Sequence, residues 1–209
     1  MPGKNIRELN GKPLLAYSVA QAAEVSEIDR LVVSTDSNEI SKISKAIGAS
    51  VIDRPKPLAT SEATTESALL HALGVLEEQE EHFDYIIVLE PTSPFRSAAT
   101  IRNAIRKIVD AGAPSLLAVK ETRNVIGQIE NGFFEPFVSG EARRRQDRKP
   151  KYVESSTVYI CAVDHLKKTG SLVSDQWLAF IVPEKEAIDI NTPLDFLYAE
   201  LVASEGVSE

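Results

Sequence analysis

The sequence predicts an α/β domain on a mostly parallel sheet, with a lobe projecting from it. Three observations carry that reading. Short β-branched apolar runs alternate with stretches of helical period, the strand–helix–strand rhythm of layered α/β folds. The run Tyr85-Ile86-Ile87-Val88-Leu89 is apolar throughout, the pattern of a strand buried on both faces. The rhythm breaks between 123 and 151, where a hairpin signal and a basic cluster stand in place of a long helix.

The elements follow in order. Met1-Pro2-Gly3-Lys4-Asn5 has loop composition. The first regular element is a helix over 13–24, behind the Asn10-Gly11 turn, with no strand before it. Leu31-Val32-Val33-Ser34 is a buried strand that ends in Thr35-Asp36-Ser37-Asn38, which is turn and N-cap chemistry. A helix over 39–47 puts Ile40, Ile43 and Ile47 on one face and stops at Gly48. The next strand is 49–52; its exit, Asp53-Arg54-Pro55-Lys56-Pro57, is loop because two prolines break any ladder. A helix over 64–79 carries Leu69, Leu70, Leu73 and Leu76. The strand 85–89 runs into a rigid polar loop, Glu90-Pro91-Thr92-Ser93-Pro94-Phe95-Arg96, and Ser97 caps a helix over 98–111. Further strands fall at 115–119, within 152–163 and at 177–182. Asn131-Gly132 is a type I′ hairpin signal. Thr192 and Pro193 are N-cap and N1 of a last helix reaching about 203, and the tail after Ser204 is expected to fray.

Composition narrows the function classes. The 209 residues make one domain, 1–209, with 123–151 as a lobe inserted in it. No apolar run approaches the roughly 20 residues of a membrane span, and no signal peptide is visible. A single cysteine, Cys161, excludes an intramolecular disulfide and a Cys-rich zinc site. A reducing, cytoplasmic setting is expected. The net charge of −8 argues against a general nucleic-acid binder. The local exception is Arg143, Arg144, Arg145, Arg148, Lys149 and Lys151, which form either a solvated loop or an anion site.

Ligands of open α/β sheets sit at the carboxyl ends of the strands. The candidates there are Asp36, Arg54, the 90–96 loop and 186–191. Asp189 stands after an apolar strand and before a capped helix, a place for a metal-binding carboxylate, with Asn191 two residues on as a second oxygen. The competing reading makes both turn formers. Glu90 ends the most apolar strand and needs a partner, either an arginine or a ligand. Lys4, in a loop, suits phosphate as a point charge or is simply a surface lysine. His71, His82 and His165 are not spaced as metal ligands, and no Walker, Gly-x-Ser-x-Gly or Gly-x-Gly-x-x-Gly pattern occurs.

In this order and spacing, a set of segments resembles the acylneuraminate cytidylyltransferases, which activate nonulosonic acids of the CMP-sialic acid kind. They are Pro2-Gly3-Lys4-Asn5-Ile6 with Gly11-Lys12-Pro13-Leu14, Val33-Ser34-Thr35-Asp36, Asp53-Arg54-Pro55, the Glu90–Arg96 loop, Arg144-Arg145-Gln146-Asp147, the Tyr159-Ile160 strand and Asp189-Ile190-Asn191-Thr192-Pro193-Leu194-Asp195-Phe196. The resemblance covers essentially the whole chain. It implies a Rossmann-like nucleotidyltransferase fold, a homodimer joined through the lobe, and a Mg²⁺-dependent reaction of CTP with a nonulosonic acid. By carry-over, Lys4 and Asn5 meet the nucleotide phosphates and Arg54 lies near the nucleotide. Glu90, Thr92, Ser93 and Arg96 line the sugar pocket. Arg145 and Gln146 lie near the sugar, in the partner's site if the lobe crosses over. Asp189 and Asn191 hold the metal, and Lys4 and Asp189 are the catalytic pair. The Pro-Thr-Ser-Pro loop is unlike the Gly-Asp pair of CMP-Kdo synthetases.

The chain departs from the family pattern at three places. The opening strand and its Ala-Arg-x-x-Ser-Lys-type loop are absent, Glu90 replaces a glutamine, and Asn191 replaces an aspartate. Glu154-Ser155-Ser156-Thr157 also replaces a more usual Asn-Gly turn. A reading from another class follows: a catalytically silent or shortened member acting as a dimeric binding protein. The missing strand belongs at the centre of such a sheet. Residues 1–209 alone are therefore expected to fold poorly and to have little activity, both restored by an extension of roughly ten to twenty residues.

Overall fold

The computed structural model describes residues 3–204. A 3-10 turn over Lys4–Ile6 leads into a miniature hairpin, β1 (Glu8–Leu9) and β2 (Lys12–Pro13). Asn10 and Gly11 make its turn at positive φ, 49° and 72°. A two-residue pairing is too short to leave a period-2 pattern, so the sequence showed no strand before the first helix. That helix is α1 (Leu14–Ala23).

β3 (Val32–Thr35) and β4 (Ser50–Asp53) run parallel, joined by α2 (Asn38–Ala46). The Ser37 hydroxyl accepts from the Ile40 amide and caps α2. α3 (Thr65–Glu77) follows, capped by Thr64, then β5 (Tyr85–Val88) and α4 (Ala98–Ala111), capped by Ser97. β6 (Ser115–Thr122) leaves the sheet for the lobe, which holds the hairpin β7 (Gly127–Glu130) and β8 (Phe133–Pro136). Asn131 and Gly132, at φ 51° and 85°, form the I′-type turn the sequence announced. The long β9 (Lys151–Ala162) returns, followed by α5 (Val163–Thr169), β10 (Leu178–Ile181) and α6 (Pro193–Ser204). The tail after Ser204 lies outside the described residues.

The expected α/β architecture is present, with a mixed sheet. Its larger part has the order β10-β6-β9-β5. β10 is parallel to β6, whereas β9 is antiparallel to both β6 and β5. The reason is topological: β6 ends in the lobe, and β9 starts there and runs straight back. β3 and β4 form a separate two-stranded piece.

Side-chain alternation sorts the helices onto two faces. Ile87 packs with Ala104 and Ile108 of α4, whereas Ile86 packs with Leu73 of α3. Val33 joins Leu15 and Val19 of α1 and Ile40 and Ile43 of α2, whereas Val32 joins Ala72 and Leu76 of α3. One face thus carries α1, α2 and α4, and the other α3. The strands read from sequence as fully buried are not so. Every residue of β5, and Val32 to Ser34 of β3, is only half-buried. Among the described residues β3 pairs with β4 alone and β5 with β9 alone, and a cavity of about 970 Å³ opens between them.

Candidate functional site

The segment 186–191 is fixed by its apolar member. Ile190 is buried with Leu9, Leu14 and Phe196, and its amide donates to the Thr92 carbonyl at 2.9 Å. Its polar neighbours come together. Asn191 Nδ2 donates to Asp189 Oδ2 at 2.6 Å, and Lys4 Nζ donates to Asn191 Oδ1 at 2.9 Å. Lys4 also reaches the Ile190 carbonyl at 3.4 Å. A capping box closes the far side: Asp195 Oδ2 accepts from the Asn191 and Thr192 amides at 3.0 and 2.7 Å, and Thr192 Oγ1 accepts from the Asp195 amide at 3.2 Å. These bonds hold the Asp195 carboxyl below its ordinary pKa, the Thr192 backbone contributing most.

The loop after β5 is built around Arg96, which is 2% exposed. Its Nε and Nη2 donate to the Ser93 carbonyl at 3.1 and 2.9 Å, and Nη2 also donates to the Glu90 carbonyl. Burial lowers its pKa to about 10, against the opposing pull of the Glu90, Glu186 and Asp189 charges. Arg96 was expected in the sugar pocket; instead it is the loop's internal strut, its guanidinium turned inward onto two loop carbonyls, those of Ser93 and Glu90. Thr92 and Ser93, also expected to line that pocket, are buried at 5% and 0% exposure. The Thr92 carbonyl holds Ile190, and Ser93 Oγ donates to Ser156 Oγ at 3.3 Å. Helix α1 braces the same loop, with Ser18 Oγ on the Glu90 carbonyl and Gln21 Nε2 on the Pro94 carbonyl.

Beside Asp189 lies a cavity of about 270 Å³ lined by Lys120, Glu154, Ser155, Ser156, Tyr159, Ala187 and Asp189. The Tyr159 hydroxyl donates to Glu154 Oε1 at 2.6 Å. Burial first, then that bond and the charges of Glu154, Glu90 and Asp189, raise the Tyr159 pKa strongly, so the phenol stays protonated. Sequence reading named Tyr159 only within a strand and missed Lys120 altogether. Glu154 and Tyr159 are five apart, which in a regular strand points them to opposite faces. The pairing slips between Leu117 and Val119, whose partners are Tyr159 and Glu154, and this bulge brings both to the cavity.

The remaining candidates separate. Asn5, Asp36, Arg54 and Glu90 line the larger cavity between β3 and β5. Arg54 is held there by Ser34, through Oγ at 3.1 Å and the carbonyl at 2.6 Å. Arg145 and Gln146 sit on an exposed 3-10 turn of the lobe, away from the chain's own cavities. Much of the basic cluster holds the lobe itself. Arg148 donates to the carbonyls of Ala142, Arg143 and Arg123, and Arg144 pairs with Asp147.

Among the described residues no group of three or more His, Cys, Asp or Glu side chains is arranged to hold a metal. One atom nevertheless suits a hard cation: Asp189 Oδ1 is buried and has no hydrogen-bond partner, and Glu186 Oε2 is in the same state. Asn191 suits it less, since its Oδ1 already accepts from Lys4. A cation that takes one or two carboxylates and completes its shell with phosphate oxygens and water, as Mg²⁺ does, matches this donor set.

A family model described as cytidylyltransferase matches residues 1–160. The chain is 30% identical to the CMP-N,N'-diacetyllegionaminic acid synthase of Legionella pneumophila, over 96% of this chain and 89% of that one. It is 26% identical to a pseudaminic acid cytidylyltransferase of Campylobacter jejuni, over 97% and 90%. A solved CMP:2-keto-3-deoxy-manno-octonic acid synthetase in complex with CTP superimposes with a TM-score of 0.70 at 15% identity, over 99% of this chain and 94% of that one. The likeness at that identity is one of fold, that of the Rossmann-like nucleotidyltransferases.

Proposed function

The chain belongs to the cytidylyltransferase family, and we propose that it transfers CMP from CTP to the anomeric hydroxyl of a nonulosonic acid, releasing pyrophosphate. The observation that carries this reading is the meeting of Lys4, Asp189 and Asn191 beside the Thr92 turn. Attack on the α-phosphate needs alignment and charge neutralisation more than covalent help. Lys4 supplies a point charge for a phosphate oxygen. Mg²⁺, when bound, supplies charge neutralisation and orients the triphosphate. Asp189 would hold it through Oδ1, which is buried and has no hydrogen-bond partner. Asn191 fixes the Asp189 rotamer by donating to its other oxygen. Tyr159, Glu154 and Ser156 offer donors and acceptors to the sugar hydroxyls. Arg145 and Gln146 reach a sugar carboxylate only across a subunit boundary. The working form is therefore a cytoplasmic homodimer, joined through the lobe's exposed Phe133, Phe134 and Phe137.

One observation favours a second reading, that of a silent dimeric binding protein. Asn191 is neutral and its oxygen is engaged by Lys4, which leaves the cation site short of charge. Pyrophosphate release with CTP, Mg²⁺ and a panel of legionaminic, pseudaminic and neuraminic acids separates the two. Turnover with one of them, lost by about two to three orders of magnitude in Asp189→Ala with an unchanged circular dichroism spectrum, supports the enzyme. Binding of CTP without turnover on the whole panel supports the silent form.

A further inference from the structure

The small cavity beside Asp189 is lined by a cation that the phosphate side does not use. Strand β6 carries Leu116 and Ala118 on the face that packs with Ala187, and side-chain alternation puts Lys120 next in that row. Leu116 and Ala118 are buried, whereas Lys120, toward the carboxyl end of the strand, is half-buried and lines the cavity of about 270 Å³. Among the described residues its ammonium makes no hydrogen bond and no ion pair. Two carboxylates line the same cavity, and each is engaged elsewhere: Glu154 by the Tyr159 hydroxyl and Asp189 by the Asn191 side-chain amide. A structural role for Lys120 would show as a bond to one of them, and a charge held partly out of water without a partner is costly.

Asp189 divides the site. On one side it is joined through Asn191 to Lys4, and neither of these lines the small cavity. On the other it stands beside Lys120, Glu154 and Tyr159. Phosphate charge thus meets Lys4, and the small cavity is left for the acceptor. The ring form of a nonulosonic acid has its carboxylate and its anomeric hydroxyl on one carbon. A hydroxyl placed beside Asp189 therefore brings its carboxylate into the same cavity. Three carboxylates then share that space, and like charges at such range disfavour one another. Tyr159 donates to Glu154, and the cation assigned to Asp189 offsets the second. Lys120 is left for the third.

We propose that Lys120 recognises the carboxylate of the sugar acid, and so makes the site selective for an acid over a neutral sugar. This inference rests on the catalytic reading, because it takes the acceptor to be a sugar with a carboxylate on its anomeric carbon. It goes beyond that reading by placing a counter-charge on this chain's own sheet, where Arg145 and Gln146 reach the sugar only from a partner subunit. An ammonium is a compact point charge with three rotatable donors, so it can meet a carboxylate whose orientation is set by the hydroxyl beside it. A charge-assisted bond of this kind is stronger than a neutral one.

The test uses legionaminic, pseudaminic and neuraminic acids, each beside its methyl ester, which keeps the hydroxyl and removes the charge. Turnover is read by pyrophosphate release, and binding by calorimetric titration with CTP present and the metal withheld. Wild type is expected to prefer one acid over its ester by about ten- to hundredfold. Lys120→Met should lose most of that preference and raise the KM for the acid by the same factor, while the KM for CTP stays within about twofold. Lys120→Arg, which keeps the charge, should recover part of the preference. A raised KM for CTP with the acid preference intact overturns the proposal and identifies a phosphate as the anion. Loss of the preference in Arg145→Met, with none in Lys120→Met, overturns it in favour of the lobe. Equal binding of acid and ester by wild type overturns this inference alone. Wild type that neither binds nor turns over any of the acids overturns the catalytic reading, and this inference with it.

Discussion

At the residue scale the site depends on side chains that touch no ligand. Arg96 is the clearest case. Replacing it with methionine takes both side-chain donors from the Ser93 carbonyl, whereas the Glu90 carbonyl keeps those of Ser18 Oγ and the Ser93 amide. Each buried acceptor left unpaired costs about 1–3 kcal/mol. Arg96→Met is therefore expected to lower the melting temperature by roughly 2–12 °C, read by calorimetry; an unchanged melting temperature would remove the strut role. Asp195 gives a pH signature. Its folded pKa lies below the ordinary carboxyl value of 3.8. Its contribution to α6 is then fully present above that value and is lost as pH falls through the lower, folded one. Asp195→Asn should flatten the acid limb of the stability profile below about pH 4 and leave its slope between pH 5 and 7 unchanged. An unaltered acid limb would show that the cap contributes nothing measurable. The sequence singled out Asp189 and Asn191 because carboxylate, turn and capped helix are adjacent in the chain, and Lys4 separately from its loop; the hydrogen bonds that join the three were not legible, since Lys4 is far from them in sequence. It did not lead to Glu154 and Tyr159 as a pair, because the bulge that aligns them carries no local sequence signal. It misplaced Arg96, since an arginine in a polar loop looks the same whether it points in or out.

At the element scale the caps and turns decided the outcome. Ser37, Thr64 and Ser97 each accept from the amide three residues on, and the helices they begin start within a residue of where the sequence puts them. The sense of β9 was not legible, because pairing direction depends on where the lobe ends and not on any residue in the strand. The lobe hairpin supplies the next prediction. A Cβ on Gly127 would lie 2.1 Å from the Glu135 carbonyl oxygen, on the facing strand. Gly127→Ala must therefore part β7 from β8 locally. Since the hairpin is exposed and contributes no buried apolar residue, the global melt should move by less than about 0.5 kcal/mol. Fast amide exchange along 128–136 and weaker self-association in light scattering are the expected results. An unchanged association state would detach dimerisation from the hairpin.

At the scale of the whole molecule the two pieces of sheet differ in what supports them. The β5–β10 part has four strands and a cluster of eight buried residues, from Ala104 to Ala187. The β3–β4 part has two four-residue strands and the smaller clusters around Leu15 and Ile52. Two short strands are marginal by themselves, and the space beside β3 denies them the packing that would couple them to the rest. Residues 1–209 are therefore expected to unfold in urea in two steps, with β3, α2 and β4 lost first. The single tryptophan, Trp177, stands directly before β10 and reports on the larger part, whereas far-ultraviolet circular dichroism sums over both. The dichroism transition should begin at lower urea than the fluorescence transition, and the calorimetric enthalpy should differ from the van't Hoff value. Coincident transitions in residues 1–209 would mean that α1 and α3, which contact both parts, already couple them without a strand between.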